Sequence, residues 1–280
     1  MIYISLCCLP DRIALKDSFE QCLNALRNQK TSYEYKILLC IPNKFINYEE
    51  FSIPEWLLNI IDQDNNINIL RSDIDYGPIT NILYPIQLVN MSDDDILIVC
   101  DDDHLYHCDM VEYHMKKLQE YPDNHCICFR GNDPKEMRTW YQDSTKVGKL
   151  YNSCVLFPTP KDIYLRFPDH WHSVSYRKKL LKSDLLDPNF LSMTWNNDIL
   201  MGYYGWKNHF FYLCATYEDE VDYRPVNHDG RGSYSFPIVK PLPYDSYSGC
   251  NRWRAQSNTD IWNHPVFSQV MKQDQGIIQL

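Results

Sequence analysis

The chain has 280 residues, 44% hydrophobic and 23% charged, which excludes a disordered protein and is enough for one large domain with a sizeable core. Lys and Arg number 27 against 37 Asp and Glu, a net charge of −10 that argues against duplex nucleic acid or an anionic membrane as partner, because both demand clustered cations. A nucleotide ligand stays open, since a metal ion neutralises phosphate locally.

Ile2–Leu6 reads as a buried strand continuing into Cys7 and Cys8. Phe19, Cys22, Leu23 and Leu26 then recur at i, i+3, i+4 and i+7, one face of a helix. Tyr35–Ile41 is a second strand stopped by Pro42, Trp56–Ile61 a short helix or turn, and Ile67–Leu70 a third strand. Ile79–Val89 is helical with an interruption at Pro85, and Ile96–Cys100 is a fourth buried strand ending in Asp101-Asp102-Asp103. Asp109 opens the next helix with Glu112 three residues on, the pattern of a capping box, and Tyr121-Pro122 closes it.

Strand and helix alternate to residue 121, which means βαβ units, a mainly parallel central sheet flanked by helices, and ligands beyond the carboxyl ends of the strands. The second half is less regular. Cys126–Phe129 and Cys154–Phe157 read as strands, Asn189–Tyr204 carries a helix, and the tail from Pro225 is loop-like. With no linker or repeat, one continuous α/β domain is expected.

The run Ile2–Leu9 has no basic flank and meets Pro10 and Asp11, so no signal peptide is expected, and no stretch approaches the roughly 20 apolar residues of a membrane span. The 11 cysteines are therefore read as reduced and the location as cytoplasmic. Aromatic residues, 14% of the chain, suit carbohydrate surfaces and plain cores alike.

The acidic strand end carries the chemistry. Five apolar residues fix the strand in the core, so its carboxylates emerge at the carboxyl edge, where three adjacent charges repel unless a cation joins them. Oxygen ligands select Mn²⁺ or Mg²⁺. Alternation along extended backbone puts Asp101 and Asp103 on one side and Asp102 on the other. The bland alternative is a solvated acidic turn. An EF-hand fails, because Leu105 and Tyr106 occupy its fifth and sixth positions. Zinc readings are weak: Cys126-x-Cys128 has the wrong spacing and His170-x-His172 lacks suitable partners.

These pieces, taken in order, resemble a GT-A-fold, family-2-like nucleotide-sugar glycosyltransferase over roughly residues 1–230. The Asp-x-Asp after a buried strand is one. Leu9-Pro10-Asp11-Arg12, followed by a helix with Ser18-Phe19 and Leu26-Arg27-Asn28-Gln29, is similar to the family's first strand and helix. Asp75-Tyr76-Gly77-Pro78-Ile79-Thr80-Asn81 resembles an Asp-Tyr-Gly-Pro-x-Thr-Lys motif in which Asn81 replaces the Lys. Trp195-Asn196-Asn197-Asp198-Ile199 resembles the late acidic motif that carries the base of inverting members. The Cys-, Tyr- and Asn-rich composition also resembles glycosyltransferases of large algal viruses (chloroviruses), a xylosyltransferase among them.

The resemblance implies a UDP-sugar donor, UDP-xylose on the narrower likeness, a carbohydrate or glycoprotein-glycan acceptor, and for a viral protein the host cytoplasm. It implies a divalent ion, Mn²⁺ or Mg²⁺, held by Asp103, by Asp101 directly or through water, and by a late histidine, for which His228 is the candidate or else a surface loop histidine. Asp101 and Asp102 are alternatively ribose or sugar contacts, and His104 and His107 hydrogen-bond partners of the acidic turn. Asp198 is the expected base, or an ordinary helix cap. Pro10 and Arg12 lie in the loop after the first strand, with Arg12 a diphosphate or ribose contact or else a surface arginine. Asp73 and Asp75 would read uracil or ribose, and Gly77 allows close backbone approach. Trp140, Tyr141, Trp171, Trp195 and Trp206 are acceptor-stacking or core rings, and Lys146–Lys149 and Arg177–Lys179 charged surface runs. The expected division is a nucleotide-sugar half at 1–121, an acceptor half at 122–230 and an extension at 231–280. A non-catalytic sugar- or nucleotide-binding protein and a metal-dependent phosphohydrolase are the alternatives.

Overall fold

The computed structural model describes residues 1–45, 51–129, 131–132, 162–165, 167–193, 197–215 and 235–237. Cys154–Phe157, Trp140, Tyr141, Lys146–Lys149, Trp195, His228 and the side chain of Trp171 lie outside them.

Four strands form the parallel half of one sheet: β1 (Ile2–Cys7), β2 (Tyr35–Cys40), β3 (Ile67–Leu70) and β4 (Ile96–Asp101). They lie in the order β3-β2-β1-β4, with Cys7 level with both Cys40 and Asp101. Crossover helices join them: α1 (Pro10–Ala14), α2 (Lys16–Arg27), α3 (Glu55–Asp62) and α4 (Thr80–Leu88). The apolar stripe Phe19, Cys22, Leu23 and Leu26 is the buried face of α2. Pro85 lies inside α4, where six consecutive residues, Thr80 to Pro85, are buried, so the first turns of this helix are covered on all sides. Ile96 to Cys100 are all buried; each large aliphatic among them contributes about 1.5–3 kcal/mol and anchors the strand that delivers the carboxylates.

Beyond β4 the sheet is mixed rather than mainly parallel. After β5 (His104–Tyr106) and α5 (Met110–Glu120), β6 (His125–Cys128) does not pair with β4. The later strand β10 (Val174–Arg177) runs antiparallel between them, and β11 (Phe211–Cys214) and β8 (Ile163–Leu165) complete the order β4-β10-β6-β11-β8. Val174 at the start of β10 faces Val99 near the end of β4, so residues 169–173 arrive beside the acidic turn. A small ladder of β7 (Gly131–Asn132) with β9 (Phe167–Pro168) leads into that segment. A Cβ on Gly131 would lie 2.5 Å from the Phe167 carbonyl oxygen, so only glycine lets these backbones approach.

The helix expected within Asn189–Tyr204 is α7 (Asn197–Lys207), preceded by a short α6 (Pro188–Leu191). Two local expectations are corrected. Glu112 does not close a capping box; its carboxylate accepts from Thr31 Oγ1 and Ser32 N, tying α5 to the turn after α2. The tail is not all loop: β12 (Ser235–Pro237) pairs antiparallel with β5, Pro237 opposite His104.

His114 on α5 ties that helix to β10. Its Nε2 lies 2.9 Å from Ser173 Oγ and its Nδ1 3.0 Å from Ser175 Oγ, and the ring is fully buried beside Phe129. Ser175 directs its hydroxyl at the Ile127 carbonyl, so it accepts from Nδ1–H and Ser173 donates to Nε2. Ser173 has φ 76°, a left-handed conformation costing a non-glycine residue roughly 1–2 kcal/mol. Burial lowers the His114 pKa to about 3. Below its ordinary value of 6.5 the unfolded chain takes up a proton that the folded chain refuses, so stability falls by about 1.4 kcal/mol per pH unit as pH drops through that window. Urea unfolding from neutral pH down to about pH 4.5 checks this: His114→Gln, which keeps an amide donor and acceptor but does not titrate, is expected to flatten the acid slope by one proton, and an unchanged slope would refute the assignment.

Candidate active site

The acidic triplet spans the end of β4 and the turn into β5, so strand alternation does not distribute it. Asp101 is the last strand residue, and the buried Tyr106 hydroxyl clamps its peptide, accepting from the Asp101 N–H at 2.7 Å and donating to its carbonyl at 3.1 Å. Asp102 turns back under the sheet edge, where its Oδ2 accepts from Leu9 N at 3.0 Å. Leu9 precedes α1, with Pro10 as the first helical residue, so Asp102 fastens the end of β4 to the start of that helix. One turn on, the Arg12 guanidinium reaches Asp103 Oδ2 at 2.6 Å, while His104 Nδ1 donates to Asp103 Oδ1 at 2.6 Å. Arg12 is 4% exposed, which corrects the surface-arginine alternative.

Across from this turn lies the segment beginning at Asp169. His170 and His172 form a 3-10 turn, and the His172 ring packs edge-on against His104 at 5.9 Å. Asp198, in the first turn of α7, meets His170: its Oδ1 accepts from the His170 backbone N at 3.1 Å and from Nδ1 at 2.6 Å. The other ring nitrogen of His170 lies 2.6 Å from the Tyr176 hydroxyl.

The electrostatics confirm that these carboxylates share one neighbourhood. Burial first, then the charges of Asp103, Asp102, Asp198 and Asp169, push the Asp101 carboxyl well above the usual range. Burial and Asp103 push Asp102 up to about 7, against Arg12 and the Leu9 N–H. Burial also opposes the charge on Asp103, but the His104 hydrogen bond and the Arg12 guanidinium outweigh it and hold Asp103 below its ordinary value.

An oxygen-rich, over-charged cluster fits a hard divalent cation, and Asp101 and Asp103 are the carboxylates that could hold one. Each Asp103 oxygen already accepts one bond, so coordination there shares a carboxylate held by Arg12 and His104. The carboxylates of Asp101, Asp102 and Asp103 do not bring an oxygen each within 4.8 Å of one another. Among the described residues, the one set of three His, Cys, Asp or Glu side chains with ligand atoms mutually within 4.8 Å is His107, Cys108 and Asp109 before α5, linked by local turn contacts.

The remaining site expectations fall at the ends of β1 and β3. Asp75 Oδ1 accepts from Gly77 N at 2.8 Å, and Gly77 has φ 66°, the left-handed region that favours glycine. Asp73 accepts from Asn43 Nδ2, which is itself bridged to Arg71, and so stands with them on the rim beyond β2 and β3. Asn81, in place of the motif's lysine, is fully buried and donates to the Cys100 carbonyl. Trp206 stacks on Tyr203, whose ring stacks on Phe190. Arg177 and Lys179 both pair with Asp123. Sequence reading passed over Asp169 and Tyr176 and weighed His170 only as half of a zinc pair. His170-x-His172 was legible as a pair of histidines, but only the antiparallel placement of β10 reveals their partner.

A family model, Glycosyl transferase family 2, matches residues 14–185, more than half of the chain. The search among curated proteins found no match. Among solved structures, GalNAc-T7 with UDP, GalNAc and Mn²⁺ superposes with a TM-score of 0.51 at 11% identity, over 76% of this chain and 42% of that one. TarS 1-349 of S. aureus has a TM-score of 0.45 at 9% identity over 77% and 60% of the two chains, and apo mouse xyloside xylosyltransferase 1 a TM-score of 0.35 at 11% over 76% and 77%. The chain thus spans less than two thirds of the first two structures. Among the described residues, no helix is long and apolar enough to cross a membrane. With the match to residues 14–185 and the GT-A arrangement of sheet and acidic turn, the chain belongs to glycosyl transferase family 2.

Proposed function

We propose that this chain transfers a glycosyl group from a UDP-sugar to a carbohydrate hydroxyl with inversion, with Asp198 as the base. The observation that carries the reading is the meeting of two distant segments: the pairing of β10 with β4 sets residues 169–173 beside the acidic turn, with His172 against His104 and Asp198 hydrogen-bonded to His170. Family membership supports sugar transfer. The UDP and Mn²⁺ in the GalNAc-T7 structure support that nucleotide and that ion.

Asp101 and Asp103 would hold the ion, with His228 as a third ligand outside the described residues. Bound there, a divalent cation supplies positive charge to the departing diphosphate. Asp73, Asp75, the Gly77 turn and Pro10 border the uridine side. Asp102 is part of the frame, because its carboxylate is spent on Leu9 N. Arg12 holds Asp103 in place and offers a guanidinium on the diphosphate side. In the transfer step Asp198 takes the proton from the acceptor hydroxyl. The freed oxygen pair forms the bond to the anomeric carbon, and the bond from that carbon to the diphosphate oxygen breaks, its electron pair leaving with UDP. UDP-xylose, on the likeness to the algal-virus enzymes, is the first donor to test, beside UDP-glucose and UDP-galactose.

Two variants test the roles. Asp198→Asn is expected to lower nucleotide release by about 10²–10⁴-fold while leaving UDP affinity in Mn²⁺ unchanged; near-normal turnover would remove the base, and donor binding without turnover in the unmodified chain would favour a binding protein instead. Asp101→Asn takes one charge out of a crowded buried cluster, so melting without metal is expected at a higher temperature while Mn²⁺-dependent UDP affinity drops at least about tenfold. A thermal-shift series with and without Mn²⁺ and UDP reads both, and an unchanged metal effect would remove Asp101 from the ion's ligands.

A further inference from the structure

The carboxylate of Asp198 is the outer end of a buried chain of polar groups. Both bonds from His170 fall on the same oxygen, Oδ1, one from the backbone N–H and one from Nδ1. Two donors from one rigid residue fix the rotation of a carboxylate as well as its position. The ring is fixed in turn by the Tyr176 hydroxyl at 2.6 Å and by the Tyr176 ring, stacked at 5.9 Å and 16°. His170 is 1% exposed and Tyr176 fully buried, with Tyr176 seated opposite Leu97 in the middle of β4.

We propose that His170, backed by Tyr176, is a positioning residue that occupies Asp198 Oδ1 and leaves Oδ2 as the oxygen presented to the acceptor hydroxyl. This rests on the base reading of Asp198. The hydrogen-bond directions agree with it. A basic carboxylate only accepts, so Nδ1 carries the proton that faces it, and the neutral ring then offers the Nε2 lone pair to the Tyr176 hydroxyl. The opposite tautomer would set a nitrogen lone pair against Asp198 Oδ1. Asp198 therefore selects the tautomer, Tyr176 supports it from inside the sheet by donating its hydroxyl proton to Nε2, and the backbone donor at His170 keeps Oδ1 engaged throughout proton transfer to Oδ2. A mere staple between the turn and α7 would need none of this: apolar side chains of similar volume would hold the two elements as well.

Nucleotide release from UDP-glucose, UDP-galactose and UDP-xylose with Mn²⁺ tests the proposal, with water as acceptor. His170→Leu is expected to lower kcat about 100-fold at unchanged donor KM, the cost of a base held about an ångström out of place. His170→Asn, whose amide nitrogen replaces Nδ1, is expected to stay within about fivefold of the unmodified chain, and Tyr176→Phe to fall by about fivefold, again in kcat alone. Wild-type kcat in His170→Leu or Tyr176→Phe, with only the melting temperature lowered, would overturn the proposal and leave a structural staple. If His170→Leu does not fold, the kcat of Tyr176→Phe beside that of His170→Asn decides. Asp198→Asn separates the two readings: an active Asp198→Asn overturns the base assignment, whereas an inactive one beside a fully active His170→Leu overturns only the role of His170.

Discussion

The antiparallel pairing of β10 with β4 is the constraint on which the site depends. A parallel neighbour would begin at the far edge of the sheet and bring its preceding loop to the wrong end of β4. An antiparallel one begins where β4 finishes, and Val174 opposite Val99 delivers Asp169, His170 and His172 to the acidic turn. The two halves of the chain thereby contribute to one cluster: Arg12 and Asp101 to His104 from the first, Asp169 to His172 and Asp198 from the second. The pairing also explains why the turn can hold an unfavourable backbone. Ser173 sits at φ 76° because its hydroxyl is bound to His114 on α5 and because the next residue is already locked into the sheet.

Charge accumulation is the second organising fact. Five carboxylates share the region, and four of them show how differently the charge is handled. Asp102 is satisfied by a backbone N–H and by burial that favours its protonated form; Asp103 is satisfied by a guanidinium and an imidazole; Asp198 by a backbone N–H and an imidazole. Asp101 is pushed well above the usual carboxylate range by its burial first and then by the charges of Asp103, Asp102, Asp198 and Asp169. A fold selected for stability alone would not keep that arrangement. The fully buried Leu97, Ile98 and Val99 immediately behind it are what allow the strand end to stay in place under that load.

The first half of the chain was legible because its signals are local. Apolar runs of strand length, one helical stripe on α2 and an Asp-rich strand end suffice for β1 to β4 and their crossovers. The second half is organised by pairings remote in sequence. Nothing in Val174-Ser175-Tyr176-Arg177 announces that it inserts between β4 and β6 in the reverse direction, and three residues at 235–237 are too short a run to stand out as a strand. The same limit governed the site. The triplet 101–103 and Asp198 could be named from their motif-like settings, but the roles within the triplet follow from a turn, not from extended backbone. Asp102 is taken up by Leu9, a residue 93 positions away. Arg12 read equally as a diphosphate or ribose contact and as a surface arginine, because an arginine two residues after a proline carries no sign of the carboxylate that will meet it.

The helices that follow β1 and precede β11 complete the logic from opposite sides. On the β1 side, α1 begins with its Leu9 N–H on Asp102 and carries Arg12 one turn later, so a five-residue helix converts a chain reversal into both a backbone donor and a cation for the acidic turn. On the other side, α7 carries Asp198 in its first turn and is fixed from below by the Tyr212 hydroxyl, which donates to the Met201 carbonyl. Tyr212 and Tyr176 meet edge to face on adjoining parts of the sheet, and Tyr176 is the residue behind His170. The placement of Asp198 is thus set twice from the same buried aromatic layer, once through the body of its helix and once through the imidazole at its carboxylate. A side chain held by two independent routes loses little further freedom when substrate arrives, and that is the condition under which a single carboxylate can serve as a base in a fixed direction.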